Sequence, residues 1–291
     1  MSIADFHTHS TRSDGILPPA ELVRLAASRG VRLLALTDHD SMEGIPEALE
    51  AARQAGLLLI PGIEMSTDIP DDEAHVLGYF LDPSDEALQA ELARMREARF
   101  DRGRRMVAKL NEMGVPVRWE RVQEIAGDAS VGRPHVARAL LEGGWIASFD
   151  EAFERYIGRN GPAYAERDKL TPADAVRFIL DHGGVAVLAH PREIATLEPV
   201  LDQTVEAGLA GMEVYYRSYS EDDIARLASV ASAWGLFPLG GSDYHGQGSE
   251  GERLPGDIPL PDAAIAHFLD ESARLIGEER IAPYRVALAS A

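Results

Sequence analysis

The sequence predicts an α/β fold, built as a parallel sheet or a barrel, and three observations support this prediction. Short apolar runs alternate with helix-like segments along most of the 291 residues. Several of those runs end in histidine, aspartate or glutamate. The chain is 45% hydrophobic and 26% charged, like an ordinary globular protein, and it is long enough to bury a sizeable core. Strands that alternate with helices favour a parallel sheet, and in barrels the C-terminal strand ends build the site.

The first part of the chain contains four predicted strands and two predicted helices. One helix spans Pro18 to Gly30, with prolines at its start and glycine at its end, and the other is GIPEALEAARQAG. The strands are the segments IADFHTH, VRLLALTDHD, LLLIPGIEMS and AHVLGYF. Each of these strands carries a histidine or an acidic residue at or near one of its ends.

The second half repeats this alternation of strands and helices. The helix TPADAVRFILDHGG has Thr171 as its predicted N-cap, and a second helix spans Ser220 to Gly235. The strands are VAVLAHP, GMEVYY and LFPLGGSDYHG. We therefore expect polar side chains from strands that are distant in sequence to meet at one edge of the sheet.

Residues 83–169 interrupt this rhythm with helical, charge-rich sequence. Two of its segments are EALQAELARMREARFDRGRRMVAKLNEMG and GRPHVARALLEGG. We interpret residues 101–165 as a helical insertion that covers the mouth of the barrel and its active site. Residues 1–100 and 166–291 then form the barrel.

Composition and charge exclude several classes of protein. The formal net charge of −20 argues against binding to long DNA, because such binding requires many cations, but it permits a small anionic substrate. The absence of cysteine excludes disulfides, thiolate ligands and a cysteine nucleophile. The sequence has no apolar run of about 18 residues and no secretory signal, so we expect a cytoplasmic protein without a membrane partner.

The polar residues at the strand ends have the character of metal ligands. His7 and His9 are two residues apart, so in an extended strand they share one face and can reach one cation. Glu64 is a carboxylate that can bridge two cations. The other candidates are Asp14, His39, His75, His190, Asp243 and His245. Mixed imidazole and carboxylate ligands without sulfur suit Mn, Fe or Zn, so we predict a multinuclear metal site.

The ordered motifs HTH, SDG, TDH, GIE, AHP and GSDYH resemble the PHP (polymerase and histidinol phosphatase) family over nearly the whole chain. The resemblance implies a distorted (β/α)7 barrel with three metal ions, most commonly Mn²⁺, with Fe or Zn also possible. It implies three ligand sets: His7, His9, Glu64 and Asp243; Glu64, His75 and His190; and Asp14, His39 and His245.

The natural substrate of such a centre is a phosphate ester. His39, His245 and His135 are the candidates for protonating the leaving group, and the sequence does not choose among them. The candidates for substrate binding are Arg12, Asp14, Arg102, Arg133, His135, Lys169 and Arg192. Among these, Arg133 and His135 lie at a helix start, where backbone N–H groups also favour an anion.

The segment GRPHVARAL also resembles one branch of the PHP family, which acts on nucleoside 3',5'-bisphosphates and short oligonucleotides. The implied reaction is hydrolysis of the 3'-phosphate, for example of adenosine 3',5'-bisphosphate to AMP, with short oligonucleotides degraded from the 5' end as a further activity. The alternatives are histidinol phosphate hydrolysis, RNA 5'-end trimming, amide hydrolysis and a non-catalytic PHP module. The complete set of ligand types argues against the last.

Overall fold

A computed structural model describes residues 2–70, 72–127, 129–166, 170–217, 219–248 and 251–289. Its sheet has seven strands in the order β1 to β7, each beside the next one along the chain. They are β1 (Ala4–Asp5), β2 (Leu33–Leu36), β3 (Leu58–Ile69), β4 (Asp72–Tyr79), β5 (Val185–Leu188), β6 (Gly211–Tyr216) and β7 (Phe237–Gly241). The predicted Lys169 lies outside the described residues.

Helices connect or follow most of these strands. They are α1 (Pro19–Ser28), α2 (Ile45–Ala55), α3 (Glu86–Glu112), α4 (Trp119–Ala126), α5 (Arg133–Glu142), α6 (Phe149–Ala152), α7 (Pro172–Asp181), α8 (Leu197–Ala207), α9 (Glu221–Ala233), α10 (Asp262–Ile276) and α11 (Glu278–Ala289). A π-helical turn, Phe153–Ile157, follows α6, and a 3₁₀ turn, Pro191–Glu193, follows β5. The predicted cap is present, since the Thr171 side chain accepts from the Asp174 N–H. No described helix is long and apolar enough to span a membrane.

The sheet nearly closes into a barrel, because backbone just after β1 pairs with backbone just after β7. The His9 N–H donates to the Tyr244 carbonyl at 2.9 Å, and the Asp243 N–H donates to the His7 carbonyl at 2.8 Å. The α/β barrel that the sequence predicts is confirmed. This closure places the motif of the first strand directly beside the motif of the last.

Strand β4 departs from the parallel arrangement that the alternation predicts. It pairs antiparallel with both β3 and β5. Only two residues separate Ile69 of β3 from Asp72 of β4, and a parallel connection needs a crossover of a dozen or more residues. Because β4 runs in the opposite direction, His75 in its first half lies opposite Ser66 in the second half of β3, toward the edge where the parallel strands end.

Among the described residues, three groups of buried apolar side chains stabilise the fold. Two of them lie on either side of the barrel strands, as the alternation of side chains along strands requires. The third runs from Val107 to Ala163 and joins α3, α4, α5 and α6, so the predicted insertion has a core of its own. Helix α3 is continuous over 27 residues, and the predicted boundary at residue 100 falls inside it.

Candidate metal centre

The strand ends bring the nine predicted ligands together. His7, His9 and Asp14 follow β1, His39 follows β2, Glu64 and His75 lie in the β3–β4 hairpin, His190 follows β5, and Asp243 and His245 follow β7. Eight of these side chains form three groups, and within each group the candidate ligand atoms lie within 4.8 Å of one another. His190 is outside these groups but contacts Glu64. We call these nine residues the metal-ligand cluster.

Glu64 is the centre of the cluster. Its carboxylate oxygens lie 2.8 to 3.2 Å from nitrogens of five imidazoles, those of His7, His9, His39, His75 and His190. Burial alone would raise the pKa of Glu64, but the surrounding histidines hold that pKa well below its usual range. The buried carboxylate is therefore ionised and available to bridge cations.

The first group of ligands is His7, His9, Glu64 and Asp243, as the family resemblance implies. All four are buried. Asp243 Oδ1 lies 3.3 Å from His7 Nε2 and 3.1 Å from His9 Nε2, and Glu64 Oε2 lies 3.1 Å from each of the same two nitrogens. Two imidazoles and two carboxylates thus converge on one point.

The second group contains Asp14, His39 and His245, and His9 lies within reach of it as well. His245 Nε2 is 3.3 Å from Asp14 Oδ1, and His39 Nε2 is 3.8 Å from Asp14 Oδ2. Burial lowers the pKa of His39 to about 3, so its imidazole is neutral at neutral pH and keeps a lone pair for a cation.

The third group is built on the other oxygen of Glu64. Glu64 Oε1 lies 2.8 Å from His75 Nδ1 and 3.1 Å from His190 Nε2. His39 is also within reach of this group. His9 and His39 therefore each belong to two groups. In the ligand sets that the resemblance implies, each of them belongs to one.

The donor set fits divalent cations. His39 Nδ1 is buried without a hydrogen-bond partner among the described residues, although it lies 3.2 Å from Glu64 Oε2. Buried polar atoms are seldom left in this way unless something else binds them. Imidazole and carboxylate donors without sulfur suit Mn, Fe or Zn.

Unusual backbone geometry accompanies the cluster. His190 and Asp243 have positive φ angles, of 27° and 48°. Two other residues nearby, Arg217 and Asp40, also have positive φ angles, of 22° and 48°. A positive φ costs free energy in a residue with a side chain, and it tends to occur where function requires it. Two of these residues, His190 and Asp243, are predicted metal ligands.

Asp38 shapes the loop after β1, which carries three of the predicted ligands. Its Oδ1 accepts from the Ser10 N–H at 2.8 Å and from the Ser13 hydroxyl at 2.7 Å, and its Oδ2 accepts from the Ser10 hydroxyl at 2.7 Å. These bonds hold the segment between His9 and Asp14 in place. Asp38 itself is absent from the ligand groups found among the described residues.

Glu213 is a functional candidate that the sequence reasoning missed. It is fully buried in β6, and its Oε1 lies 3.1 Å from His7 Nδ1. Its Oε2 accepts from the His190 N–H at 2.8 Å. Glu213 therefore fixes the tautomer of His7, leaving Nε2 for a cation, and it also holds His190 in its strained conformation.

We expect Glu213→Gln to lower the metal affinity by about 10- to 100-fold, the range for partners that orient ligands. A glutamine can still accept from His7 Nδ1, but its amide nitrogen cannot accept from the His190 N–H. Metal competition with a chelator measures the affinity. Glu206→Gln, an exposed position on α8, is the matched control. Equal affinities in the two variants would remove Glu213 from this role.

Asp243 is held by two further side chains near the cluster. Its Oδ2 accepts from the Tyr216 hydroxyl at 2.6 Å and lies 3.4 Å from Arg217 Nη1. Burial is the main reason that the pKa of Tyr216 is well above its usual range, so its hydroxyl remains protonated and donates to Asp243. Asp243 Oδ1 is left to face His7 and His9.

A pocket adjoins the cluster on the side of the insertion, and we call it the anion pocket. Asp14, His39 and His75 line it from the barrel. The guanidinium groups of Arg102 and Arg133 line it from the insertion, and both lie against Glu73: Arg102 Nη2 is 3.5 Å from Glu73 Oε1, and Arg133 donates to Glu73 Oε2. Its other lining residues are Ser13, Ser66, Arg99, Ser130, Gly132, Pro134, His135 and Phe153.

Arg99 also belongs to this pocket, three residues before Arg102 on the same face of α3. It donates to Asp40 and to the Ser66 hydroxyl. The neighbouring Arg104 and Arg105 are exposed. Helical spacing thus separates the arginines that face the cluster from those that face solvent.

His135 is buried at the start of α5 with contacts to two backbone groups. Its Nδ1 accepts from the Gly132 N–H at 2.9 Å, and it also forms a hydrogen bond with the Ser13 backbone. Burial lowers the pKa of His135, so the ring is neutral at neutral pH. The residue therefore ties the insertion to the loop that carries Asp14.

Two predicted substrate-binding arginines point elsewhere. Arg12 lies 3.6 Å from Glu47 of α2, and Arg192 lies 3.1 Å from Asp223 of α9 and over the Tyr219 ring. Neither is among the described residues that line the anion pocket. Both follow a ligand motif closely in sequence, but the local backbone turns their side chains toward neighbouring helices.

Residues 5–158, just over half of the chain, match the family described as PHP domain. The chain belongs to the PHP family. It is 33% identical to the 3',5'-nucleoside bisphosphate phosphatase of Chromobacterium violaceum over 95% of this chain and 99% of that protein. It is 36% identical to the 5'-3' exoribonuclease Rnm of Salmonella typhimurium, over 84% of this chain and 85% of that protein.

The PHP chain also shares its fold with solved structures. A Chromobacterium violaceum protein named an amidohydrolase, with bound sulfate and no metal, matches with a TM-score of 0.82 and 32% identity. That match covers 91% of this chain and 97% of the other. The resemblance in the motifs is thereby confirmed, and the chain is a metal-dependent phosphoesterase of the PHP family.

Proposed function

We propose that this PHP chain hydrolyses the 3'-phosphate of nucleoside 3',5'-bisphosphates, such as adenosine 3',5'-bisphosphate, and that it also degrades short oligonucleotides from their 5' end. The observation that carries the proposal is the anion pocket beside the metal-ligand cluster. Asp14 and His39 belong to both, while Arg102 and Arg133 supply cations on the far wall. A substrate with two phosphates matches a site with two anion-binding regions.

The nine residues of the cluster are proposed to hold three divalent ions, with Mn²⁺ as the native metal. Such ions lower the pKa of water and neutralise charge on phosphoryl oxygens. The protein contributes fixed geometry: Glu64 joins two of the three groups, Glu213 and Tyr216 orient His7 and Asp243, and Asp38 fixes the loop before Asp14.

The anion pocket is proposed to bind the 5'-phosphate. Arg102 and Arg133 share the carboxylate of Glu73, which holds both guanidinium groups toward one space. Arg102 also donates from Nε to the Ala165 carbonyl at 2.9 Å, which fixes its direction. Guanidinium groups with fixed orientation suit phosphate oxygens. Arg99 adds a third cation to the same pocket.

The proton that the leaving 3'-oxygen requires is proposed to pass through His245 rather than His39, because burial lowers the pKa of His39 to about 3 and its imidazole is neutral at neutral pH. Both face Asp14 within the cluster. His135 is assigned a positioning role instead, because its ring contacts the backbones of Gly132 and Ser13. Residues 101–165 remain our proposed insertion over the barrel of residues 1–100 and 166–291, with α3 shared between them.

Two rival substrates fit this site less well. Histidinol phosphate carries a cationic amine, and the guanidinium groups of Arg99, Arg102 and Arg133 would repel it from the anion pocket. Amide hydrolysis in related barrels uses a carboxylated lysine between metals. Here Glu64 occupies the central position, and the sequence has only Lys109 and Lys169, both outside the ligand motifs.

Analysis of the products tests the proposal. Adenosine 3',5'-bisphosphate is incubated with the Mn²⁺-loaded chain, and nucleotides are separated by chromatography, with histidinol phosphate and AMP as parallel substrates. We expect AMP and inorganic phosphate from the bisphosphate, and slow or no hydrolysis of the other two. Adenosine 3'-phosphate as the product, or preference for histidinol phosphate, would overturn the proposal.

Arg133→Ala is expected to raise KM for the bisphosphate by about tenfold or more, as loss of a hydrogen bond to a charged group does. The effect on kcat is expected to be smaller, because the 5'-phosphate is bound equally in the ground state and the transition state. Steady-state kinetics separate the two constants. Arg104→Ala, on the exposed face of α3, is the control. An unchanged KM would exclude Arg133 from the anion pocket's function.

A further inference from the structure

A second cavity, of about 330 Å³, adjoins the anion pocket. Asp14, Pro134 and His135 line both spaces, so the two meet beside the ligand loop of the cluster. We call this second space the downstream cavity. The proposed function assigns the two phosphates of a bisphosphate to the anion pocket and the cluster, so neither phosphate requires it.

The sizes of the two spaces differ in a way that matters for the substrate. The anion pocket has a volume of about 80 Å³, enough for a phosphate group but small for a nucleotide. Sites for small organic ligands are commonly about 300 to 1,000 Å³. The downstream cavity therefore has room for a nucleotide, whereas the anion pocket does not.

The walls of the downstream cavity suit a base on one side and a phosphate on the other. Ile16, Ile125 and Phe149 provide apolar surface, and Ile16 is 48% exposed although it directly follows the ligand loop. Arg121 and Arg138 provide cations, both beside Glu142, at 2.8 Å and 3.8 Å respectively. Aromatic surface combined with cations is the usual means of binding single-stranded nucleic acid.

An aromatic pair links the two spaces. The ring of Phe149 in the downstream cavity lies 5.7 Å, between centroids, from the ring of Phe153 in the anion pocket. Helix α6 thus contributes the aromatic ring of Phe149 to the downstream cavity, and the π-helical turn after it contributes that of Phe153 to the anion pocket. A chain of nucleotides that crosses the cluster would meet one space before the scissile phosphate and the other after it.

We propose that the downstream cavity binds the nucleotide that follows the scissile phosphate in a short oligonucleotide, an inference that rests on the proposed function. The base of that nucleotide lies against Phe149 and Ile16, and its own 3'-phosphate lies at Arg138. In the reaction, the oxygen of water bonds to phosphorus, the bond from phosphorus to the 3'-oxygen breaks, and that oxygen takes a proton. The products are a 5'-mononucleotide and an oligonucleotide that is one residue shorter and carries a 5'-phosphate.

The experiment compares two substrates, a 5'-phosphorylated trinucleotide and adenosine 3',5'-bisphosphate. In Arg138→Glu, we expect the ratio of kcat/KM for the trinucleotide to kcat/KM for the bisphosphate to fall about tenfold, and Phe149→Ala to act in the same direction. Arg138 is exposed, so its replacement does not threaten the fold. Arg177→Glu, an exposed position on α7, is the control and leaves the ratio unchanged. An unchanged ratio in Arg138→Glu would overturn the inference.

A binding measurement separates this inference from the proposed function. The probe is a fluorescent 5'-phosphorylated trinucleotide whose first linkage is an uncharged methylphosphonate, which the chain cannot hydrolyse. We expect its Kd for the Mn²⁺-loaded chain to rise about tenfold in Arg138→Glu. Equal Kd values would contradict the downstream cavity even if the bisphosphate is a good substrate. Failure to hydrolyse the bisphosphate would contradict the proposed function, while the Kd values would still decide for or against the cavity.

Discussion

Glu64→Gln is expected to abolish metal loading and to lower turnover by more than about 100-fold, the upper limit for residues that only orient ligands. The glutamine keeps the shape of the side chain but loses the charge that lies beside five imidazoles. Its amide nitrogen would also face His75 and His190, or His7 and His9, with a donor where a ligand oxygen is required.

Metal content after purification and the rate of phosphate release measure these two effects. Glu198→Gln, an exposed position on α8, is the matched control and is expected to behave as the unmodified chain. Circular dichroism shows whether the fold is intact. A folded Glu64→Gln protein with full metal content and normal turnover would contradict the central position of Glu64.

Asp243→Asn is the second change with a large expected effect, again a loss of turnover of more than about 100-fold. Asparagine suits this position because it tolerates a positive φ better than most residues, and φ is 48° here. It can also accept from the Tyr216 hydroxyl. The charge that attracts a cation between His7 and His9 is lost, while the fold should be kept.

The control for this change is Asp222→Asn, at an exposed position in the first turn of α9. Thermal unfolding of both variants without metal verifies that the fold is intact. Turnover is then measured over a range of Mn²⁺ concentrations. If the folded Asp243→Asn protein reaches normal turnover at ordinary Mn²⁺ concentrations, Asp243 is not a ligand.

The proximity of the cluster residues could be predicted because the sequence signals for it are local. His7 and His9 are two residues apart just after β1, and Asp243 and His245 are two residues apart just after β7. Parallel strands in a barrel bring their C-terminal ends to one edge, so local motifs become neighbours without further information. The α/β barrel follows from the same alternation.

Features that depend on distant contacts could not be predicted. Glu213 lies 206 residues from His7 in sequence, and in GMEVYY it has no neighbour that marks it as functional. The direction of two predicted substrate-binding residues could not be predicted either. Arg12 and Arg192 lie beside ligand motifs in sequence, but their side chains turn toward Glu47 and Asp223. For such residues, the direction of a side chain decides the role, and sequence spacing does not determine that direction.

The direction of β4 and the length of α3 both differ from the prediction, but for different reasons. The short link between β3 and β4 was a sufficient signal for an antiparallel pair, since no helix fits between Ile69 and Asp72. The continuous α3 was harder to foresee, because its first part contacts the barrel and its last part belongs to the core of the insertion. The same helix packs against the barrel and within the insertion, and charged residues along its whole length give no signal for a boundary.

Metal reconstitution tests the central claim most directly. The chain is stripped of metal with a chelator, and phosphate release from adenosine 3',5'-bisphosphate is followed as Mn²⁺ is added stoichiometrically. We predict no turnover in the stripped chain, and activity that rises until up to three ions are bound per chain. Full turnover by the stripped chain, or no turnover at any Mn²⁺ concentration, would contradict a metal-dependent phosphatase built on this cluster.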